Sequence, residues 1–294
     1  ARVLGLRLQY DSQFRDARIY FAQPSTSGFF LRTAAAIYAQ RQAVEPFITH
    51  RYGFTITEDA RFSDHDILTF GYRIEQASSR YISPSPELPP PENMRVAPLS
   101  ATFTRETRDS FINPTRGGFL SSSLEYASNI LGSQERFLRY FGQYIRYVPL
   151  AAPTELPLTT TVWRSRWVYA GAVRLGLAGG QGGQELIATE RFFAGGATSV
   201  RGYDQNSLGP TDALGNPVGG NAMFIVNNEL RFPIYNVLGG AAFLDAGNVY
   251  ATVSDFDPLR LRYGAGVGLR LSTPYILLRF DVGFKLFPKP GESR

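Results

Sequence analysis

The sequence predicts an all-β protein, a transmembrane antiparallel β-barrel with about thirteen strands present. Three observations predict this fold. Apolar and polar residues alternate along most of the chain, as they do in strands whose two faces meet different environments. Several alternating segments exceed the five or six residues usual in soluble sheets and reach the roughly 9–11 residues that a tilted strand needs to cross a bilayer. No uncharged apolar run approaches the roughly 18 residues of a spanning helix.

The alternation is clearest toward the C-terminal end of the sequence. Residues 260–271 place apolar side chains, from Leu261 to Leu271, on one face and mainly arginine and glycine on the other. Residues 278–286 repeat the pattern, with leucine, phenylalanine and valine opposite arginine, aspartate, glycine and lysine. A face of arginine and glycine cannot be a packed core, whereas the apolar face suits lipid. A soluble β-sandwich or a lipocalin-like barrel would instead need shorter strands and an apolar interior.

The same pattern, followed from the N-terminus, divides the chain into strands separated by turns. An open sheet in hydrocarbon would leave its edge strands unpaired, so the strands are expected to form a barrel. The segments near 17–23, 97–105 and 137–148 alternate less strictly than the others. We predict strands near residues 2–10, 15–23, 28–42, 46–60, 64–78, 95–107, 116–129, 135–149, 160–178, 221–233, 237–251, 259–272 and 275–287.

The connections between strands predict which end of the barrel faces outward. A long connection over 179–220 is followed by a short one, 233–236. Long loops belong outside the cell and short turns on the periplasmic side, so 179–220 and the Pro-rich stretch 83–91 are expected to be extracellular. The strand near 275–287 would then run outward. Bacterial single-chain barrels have an even strand count, so we expect at least one further strand beyond the sequence, which would make this chain a fragment.

The composition argues against catalysis and against nucleic-acid binding. The chain has no cysteine, which excludes disulfides, iron–sulfur clusters and thiolate zinc sites. His50 and His65 are too few and too far apart to predict a metal site. The net charge is +5, but the arginines are spread over the polar strand faces, which favours counter-charges inside the barrel and contacts with anionic lipid headgroups. We therefore predict no enzyme activity, no cofactor, no metal and no nucleic-acid partner.

The long connection contains the most specific motif. The motif runs from Glu190 to Tyr203, includes Gly195 and Gly196, and ends on the tetrapeptide Val200-Arg201-Gly202-Tyr203. The tetrapeptide resembles the V/I-R-G-F/Y motif of the BamA/TamA superfamily of outer-membrane assembly barrels, also called bacterial surface antigens, which stands on the long loop after their eleventh strand. Other parts of the chain are similar to later strands and turns of that family: 113–118, 227–233, 243–250 and 263–274.

The resemblance implies a sixteen-stranded barrel preceded by periplasmic POTRA domains. If residues 1–10 correspond to the family's third strand, two strands are missing before them and one after the last. The missing last strand would form half of the family's lateral seam. Residues 1–294 are then barrel, with 179–220 folding back into the lumen.

The resemblance also implies the partners of the motif arginine. Arg201 would meet the carboxylates of Glu229 and Asp245, which lie on the polar faces of their strands. A guanidinium between two carboxylates forms charge-assisted hydrogen bonds in a confined space. Gly195, Gly196 and Gly202 would let the loop turn tightly.

The function implied by the resemblance is assembly at the bacterial outer membrane. The protein would insert or translocate β-barrel client proteins, with outer-membrane lipid, unfolded clients and periplasmic or inner-membrane accessory proteins as partners. The segment 195–203 resembles the sequence of TamA-like members more than that of BamA itself. Two alternatives remain open: a two-partner secretion transporter of the same superfamily, in which a helix plugs the barrel, and a passive porin with an open lumen.

Overall fold

In a computed structural model, the described residues are 2–24, 31–44, 47–82, 92–150, 167–183, 186–235, 237–273 and 276–288. They form one antiparallel sheet of fourteen strands, which confirms the predicted all-β antiparallel architecture. Within those ranges no helix has the length and apolarity to cross a membrane. The strands are β1 (Val3–Tyr10), β2 (Phe14–Pro24), β3 (Leu31–Val44), β4 (Phe47–Arg61), β5 (Asp66–Tyr81), β6 (Glu92–Val96), β7 (Pro98–Glu106), β8 (Gly117–Ala127), β9 (Phe137–Pro149), β10 (Val168–Gly180), β11 (Ala222–Tyr235), β12 (Leu238–Tyr250), β13 (Arg262–Ser272) and β14 (Leu277–Leu286).

Apart from β6, the strands pair in the order of the sequence from β1 to β14, and β6 pairs only with β5. The predicted strand near 95–107 is divided into β6 and β7, both of which pair with β5. The division falls at Ala97, directly before Pro98, which has no amide hydrogen to donate to the ladder. The amide of Ala97 instead donates to the hydroxyl of Ser133 at 3.1 Å. The predicted strand near 160–178 is described from Val168 onward, and the stretch 83–91 lies outside the described residues.

The sheet has an apolar outward face and a polar concave face. On β14, Leu278, Phe280, Val282 and Phe284 are all exposed outward, as a lipid-facing surface requires. Residues of the other parity, such as Asp281, point to the concave side, where the arginines and carboxylates of the strands collect.

The concave face is covered by the connection between β10 and β11. Leu186, Phe192 and Val200 from this connection are buried in one apolar cluster with residues of the strands, among them Phe137 and Ile225. The apolar core of the molecule therefore lies between the loop and the concave face. The loop is part of the folded structure and positions the charged groups described next.

Candidate functional site

The candidate site is the loop between β10 and β11 together with the strand residues it contacts. Its central segment folds back on itself, and the amide of Leu208 donates to the carbonyl oxygen of Ala194 at 2.9 Å. Gly195 and Gly196 turn the chain with φ of +113° and +93°, a region that favours glycine because it has no Cβ. The structure thus places both predicted turn glycines at the base of a hairpin whose tip carries the motif.

Arg201 binds the two carboxylates that the sequence associates with it. Its Nε and Nη2 atoms donate to Oδ2 and Oδ1 of Asp245 at 2.7 and 3.0 Å, and its Nη1 donates to Oε2 of Glu229 at 2.6 Å. The guanidinium carbon lies 3.5 Å from the centre of the Phe243 ring. Burial opposes the charge on Arg201, but the hydrogen bonds to Asp245 and Glu229 outweigh it and raise the pKa of the guanidinium. Arg201 is therefore a permanent cation.

The strands add more charges of alternating sign around this pair. Arg231 donates to Oε1 of Glu229 at 2.8 Å and Arg270 donates to Oε2 at 2.9 Å. Asp281 binds both Arg270 and Arg201. Each buried charge therefore has an opposite neighbour, as a low-dielectric site requires. We call this group the arginine anchor; its members are Arg201, Glu229, Arg231, Asp245, Arg270 and Asp281.

The backbone of the motif lies directly on two strands. A Cβ on Gly264 of β13 would stand 1.9 Å from the carbonyl oxygen of Arg201, and one on Gly283 of β14 would stand 2.7 Å from the amide nitrogen of Gly202. Gly202 itself has a φ of +95°. Glycine on both sides therefore permits an approach that any side chain would block.

The other two motif residues fix the hairpin on either side of this contact. Val200 is fully buried in the apolar cluster. The Tyr203 hydroxyl donates to the carbonyl oxygen of Tyr263 at 3.4 Å, and its ring lies 5.4 Å from the guanidinium of Arg262 and 5.5 Å from the ammonium of Lys285. All four motif residues therefore contact the sheet.

A second charged group holds the start of the loop. Glu190 is 1% exposed, and its Oε2 atom accepts a hydrogen bond from Nη2 of Arg73 at 3.4 Å. Its Oε1 atom lies 3.8 Å from Nη1 of Arg51, and Nη2 of Arg51 donates to the carbonyl oxygen of Thr189 at 2.5 Å. Burial opposes ionisation of Glu190, but the positive charges of Arg73, Arg51 and Arg139 prevail and lower its pKa. Glu190 is therefore a buried carboxylate.

The arginines around Glu190 are themselves paired with strand carboxylates. Arg73 binds Glu75 and lies 3.5 Å from Glu125, which also pairs with Arg139 at 3.3 Å. Arg51 lies 3.5 Å from Glu75. We call this group the glutamate anchor; its members are Arg51, Arg73, Glu75, Glu125, Arg139 and Glu190.

Two further carboxylates bind the loop backbone beside the glutamate anchor. Oε1 of Glu135 accepts the amide of Ile187 at 2.6 Å, and Oε2 of Glu92 accepts the amide of Ala188 at 3.0 Å. Glu135 is fully buried, and its Oε2 atom has no hydrogen-bond partner among the described residues. Burial raises the pKa of Glu135 to about 7, and the nearby charges of Glu190 and Glu92 act in the same direction.

The glutamate anchor was not predicted from the sequence. Glu190 stands in the loop, but its partners lie on β4, β5 and β9, and Arg73 is 117 residues away. One available signal was the pair Arg73 and Glu75, two charges of opposite sign on the polar face of a strand whose other face is apolar from Leu68 to Ile74. In the part of the chain that the structure describes, no group of three or more histidine, aspartate or glutamate residues is placed to hold a metal ion.

Comparisons with known proteins match the whole chain to one family. Residues 1–293 match the family model described as the Omp85 superfamily domain. The chain is 28% identical over 273 residues to the outer membrane protein assembly factor BamA of Nitratidesulfovibrio vulgaris. This alignment covers 90% of this chain and 33% of that protein. It is also 27% identical over 224 residues to a SAM50-like protein of Schizosaccharomyces pombe, in an alignment that covers 71% of this chain and 43% of that protein. The chain thus spans less than half the length of either relative.

A solved structure has the same fold. The crystal structure of BamA from Haemophilus ducreyi lacking POTRA domains 1–3 matches with a TM-score of 0.82 over 99% of this chain and 62% of that chain. The sequence identity between the two is 18%. This likeness confirms the β-barrel fold predicted from the alternation.

Proposed function

Because this chain belongs to the Omp85 superfamily, we propose that it is the membrane barrel of an outer-membrane protein assembly factor, which inserts or translocates β-barrel client proteins without catalysis. Membership confirms the resemblance to the BamA/TamA superfamily seen in the motif, whereas the TamA-like branch stays a prediction. The chain is a bacterial outer-membrane protein, as its BamA relatives are.

The observation that carries this proposal is the loop held across the concave face. The glutamate anchor fixes its start to β4, β5 and β9, and the arginine anchor fixes its tip to β11, β12 and β14. We propose that 179–220 is an extracellular loop that folds into the lumen and occupies it. A passive porin needs an open lumen. A loop that occupies the lumen therefore argues against a porin.

The physical task of such a protein is to help unpaired strands enter lipid. A client strand in hydrocarbon cannot satisfy its backbone groups with water, so it needs another strand edge. A barrel can offer strand pairing without a chemical step, which fits the absence of a catalytic motif in the sequence. We propose unfolded β-barrel proteins and outer-membrane lipid as partners, with periplasmic or inner-membrane accessory proteins.

A reconstituted folding assay tests the proposal. The protein, at its natural length, is inserted into lipid vesicles, and the folding rate of a urea-denatured β-barrel client is followed by its heat-modifiable migration in gels. We expect faster client folding than in empty vesicles, and loss of that gain in Arg201→Ala. The control is Arg260→Ala, since Arg260 is an 82% exposed side chain in another loop. Steady high ion conductance without any effect on client folding would contradict the proposal and indicate a porin.

A further inference from the structure

The outward face of the sheet carries a row of basic residues near the end from which the long loop emerges. Arg15 on β2 stands directly opposite Arg41 on β3, and Arg41 stands directly opposite His50 on β4. The parity of the strands puts these side chains on the same face as Ile19 and Ile37, which are 58% and 65% exposed. We call Arg15, Arg41 and His50 the basic row. It lies on the lipid-facing side, at the level where a membrane interface is expected.

Arg15 and Arg41 have no carboxylate partner among the described residues. Among the described residues, Arg15 contacts Tyr10, with a hydrogen bond of 3.4 Å to its hydroxyl and 4.8 Å to its ring centre. Within the described residues neither Arg15 nor Arg41 forms an ion pair. The neighbouring Asp16 is buried on the concave face of the sheet, where it pairs with Arg18. Like charges directly opposite each other weaken an antiparallel pair. An anion placed over the row would remove that repulsion.

A cleft lies directly beside the basic row, toward the middle of the membrane. The next outward-facing row in the register is Leu8, Ala17, Ala39 and Tyr52, each opposite the one before it. The two small alanines between leucine and tyrosine leave a cleft of about 410 Å³, whose lining includes Arg15, Arg41 and His50. We call it the alanine cleft. Its apolar floor and walls suit an acyl chain, and its basic end suits an anion.

We propose that the basic row and the alanine cleft together bind one phosphate-bearing lipid molecule. Its phosphate would lie on Arg15 and Arg41, whose guanidinium groups match phosphate oxygens in geometry and stay charged. Its acyl chain would lie in the alanine cleft. Basic side chains near a membrane surface attract anionic lipids, and the cleft adds shape to that attraction. The inference rests on the membrane location of the barrel and not on its assembly activity.

Native mass spectrometry of lipids retained by the protein tests this inference. The protein, at its natural length, is placed in phosphatidylcholine nanodiscs that contain a minor fraction of phosphatidic acid and is then released in mild detergent. We expect one phosphatidic acid molecule to remain bound. The double variant Arg15→Gln/Arg41→Gln should reduce this retention at least tenfold. Ala39→Phe, which fills the cleft and keeps the charges, should reduce it to a similar extent.

Matched controls separate the site from general charge and apolarity. Arg105→Gln removes a charged side chain that is 56% exposed and lies on β7, at the end of the sheet away from the basic row. Ala35→Phe adds a ring on the outward face of β3, away from the cleft. Both controls should retain the lipid as the unchanged protein does. Folding of every variant is checked by heat-modifiable migration, and Ala39→Phe and the double arginine variant are read independently.

Three outcomes would overturn the inference. The first is equal retention in the double arginine variant, and the second is equal retention in Ala39→Phe. The third is full displacement of the lipid by inorganic phosphate, which would indicate a site for a free anion without an acyl chain. An unchanged rate of client folding in these variants would leave the inference intact, because lipid retention is measured separately from assembly.

Discussion

The two anchors hold the same loop with opposite arrangements of charge. In the arginine anchor the loop supplies the cation and the strands supply carboxylates. In the glutamate anchor the loop supplies the anion and the strands supply arginines. The strand groups that contact the loop's charged side chain directly are carboxylates of β11, β12 and β14 at the tip and arginines of β4, β5 and β9 at the start. The two ends of the loop are therefore docked by ion pairs of opposite sense.

The geometry predicts that the two anchors differ in strength. Arg201 makes three hydrogen bonds of 2.6 to 3.0 Å to Glu229 and Asp245 and also lies on an aromatic face. Glu190 lies 3.4 and 3.8 Å from the nearest nitrogens of Arg73 and Arg51. Loss of Glu190 would leave those arginines paired with strand carboxylates. Loss of Arg201 would leave the buried Asp245 without an arginine hydrogen bond. We therefore expect the tip to depend on its anchor more than the start does.

The largest effect is expected for Arg201→Ala. Removing one partner of a buried ion pair costs about 3–5 kcal/mol because the other charge stays buried without compensation. The chain has no cysteine, so Val200→Cys provides a unique thiol that is protected when the loop is docked. Its maleimide labelling rate should rise by about a hundred- to a few thousand-fold in the Arg201→Ala background. The control Arg260→Ala should leave it unchanged, and unchanged labelling in both would refute the anchor.

A smaller effect is expected for Glu190→Gln. Hydrogen bonds to a charged group contribute about 1.5–3 kcal/mol, and the neighbouring arginines keep their strand carboxylates. With Ala188→Cys as the reporter, labelling should rise by about ten- to a hundredfold. Labelling at the Val200→Cys position should rise less than at Ala188→Cys, because the arginine anchor still holds the tip. An effect on the tip equal to that of Arg201→Ala would show that the two anchors open as one unit.

A third test addresses the close approach of the motif to β13. Gly264→Ala places a Cβ 1.9 Å from the carbonyl oxygen of Arg201, so the loop tip must move away from the strand. Overpacking of this kind costs about 1–3 kcal/mol. The matched control is Gly179→Ala on β10, where a Cβ has no neighbour within 4 Å. Labelling of Val200→Cys should rise in the first variant only, and a rise in neither would mean that the contact contributes nothing to docking.

How much of this could be read from the sequence depends on the distance between partners along the chain. The strands follow from local alternation, and Arg201 and its carboxylates are 28 and 44 residues apart within a recognisable motif region. Glu190 and Arg73 are 117 residues apart, and Arg51 and Thr189 are 138 apart. Their meeting depends on the curvature of the sheet, which alternation does not encode. The contact of Gly264 with the loop backbone is missed for the same reason.

The docking of the loop start is expected to depend on pH near neutrality. The buried Glu135 binds the amide of Ile187 and has a pKa raised from 4.5 to about 7. The charged groups that face it are Glu92 from β6 and Glu190 and Arg191 from the loop. The carboxylates oppose its ionisation and Arg191 favours it. The arginines that surround Glu190 keep its carboxylate ionised. Of Glu135 and Glu190, Glu135 is therefore the group expected to titrate near neutral pH.

A raised pKa means that the docked loop binds more protons than the undocked loop. Docking should therefore weaken as the pH rises from about 4.5 to about 7, by up to about 1.4 kcal/mol per pH unit, and stay constant above that range. Labelling of Ala188→Cys, divided by the rate for the same thiol in unfolded protein at each pH, should rise up to about tenfold per unit. In Glu135→Gln the slope should vanish, while Val200→Cys labelling should change little with pH because Arg201 stays charged. A slope that persists in Glu135→Gln would assign the titration to another group and would leave the two anchors alike in their response to pH.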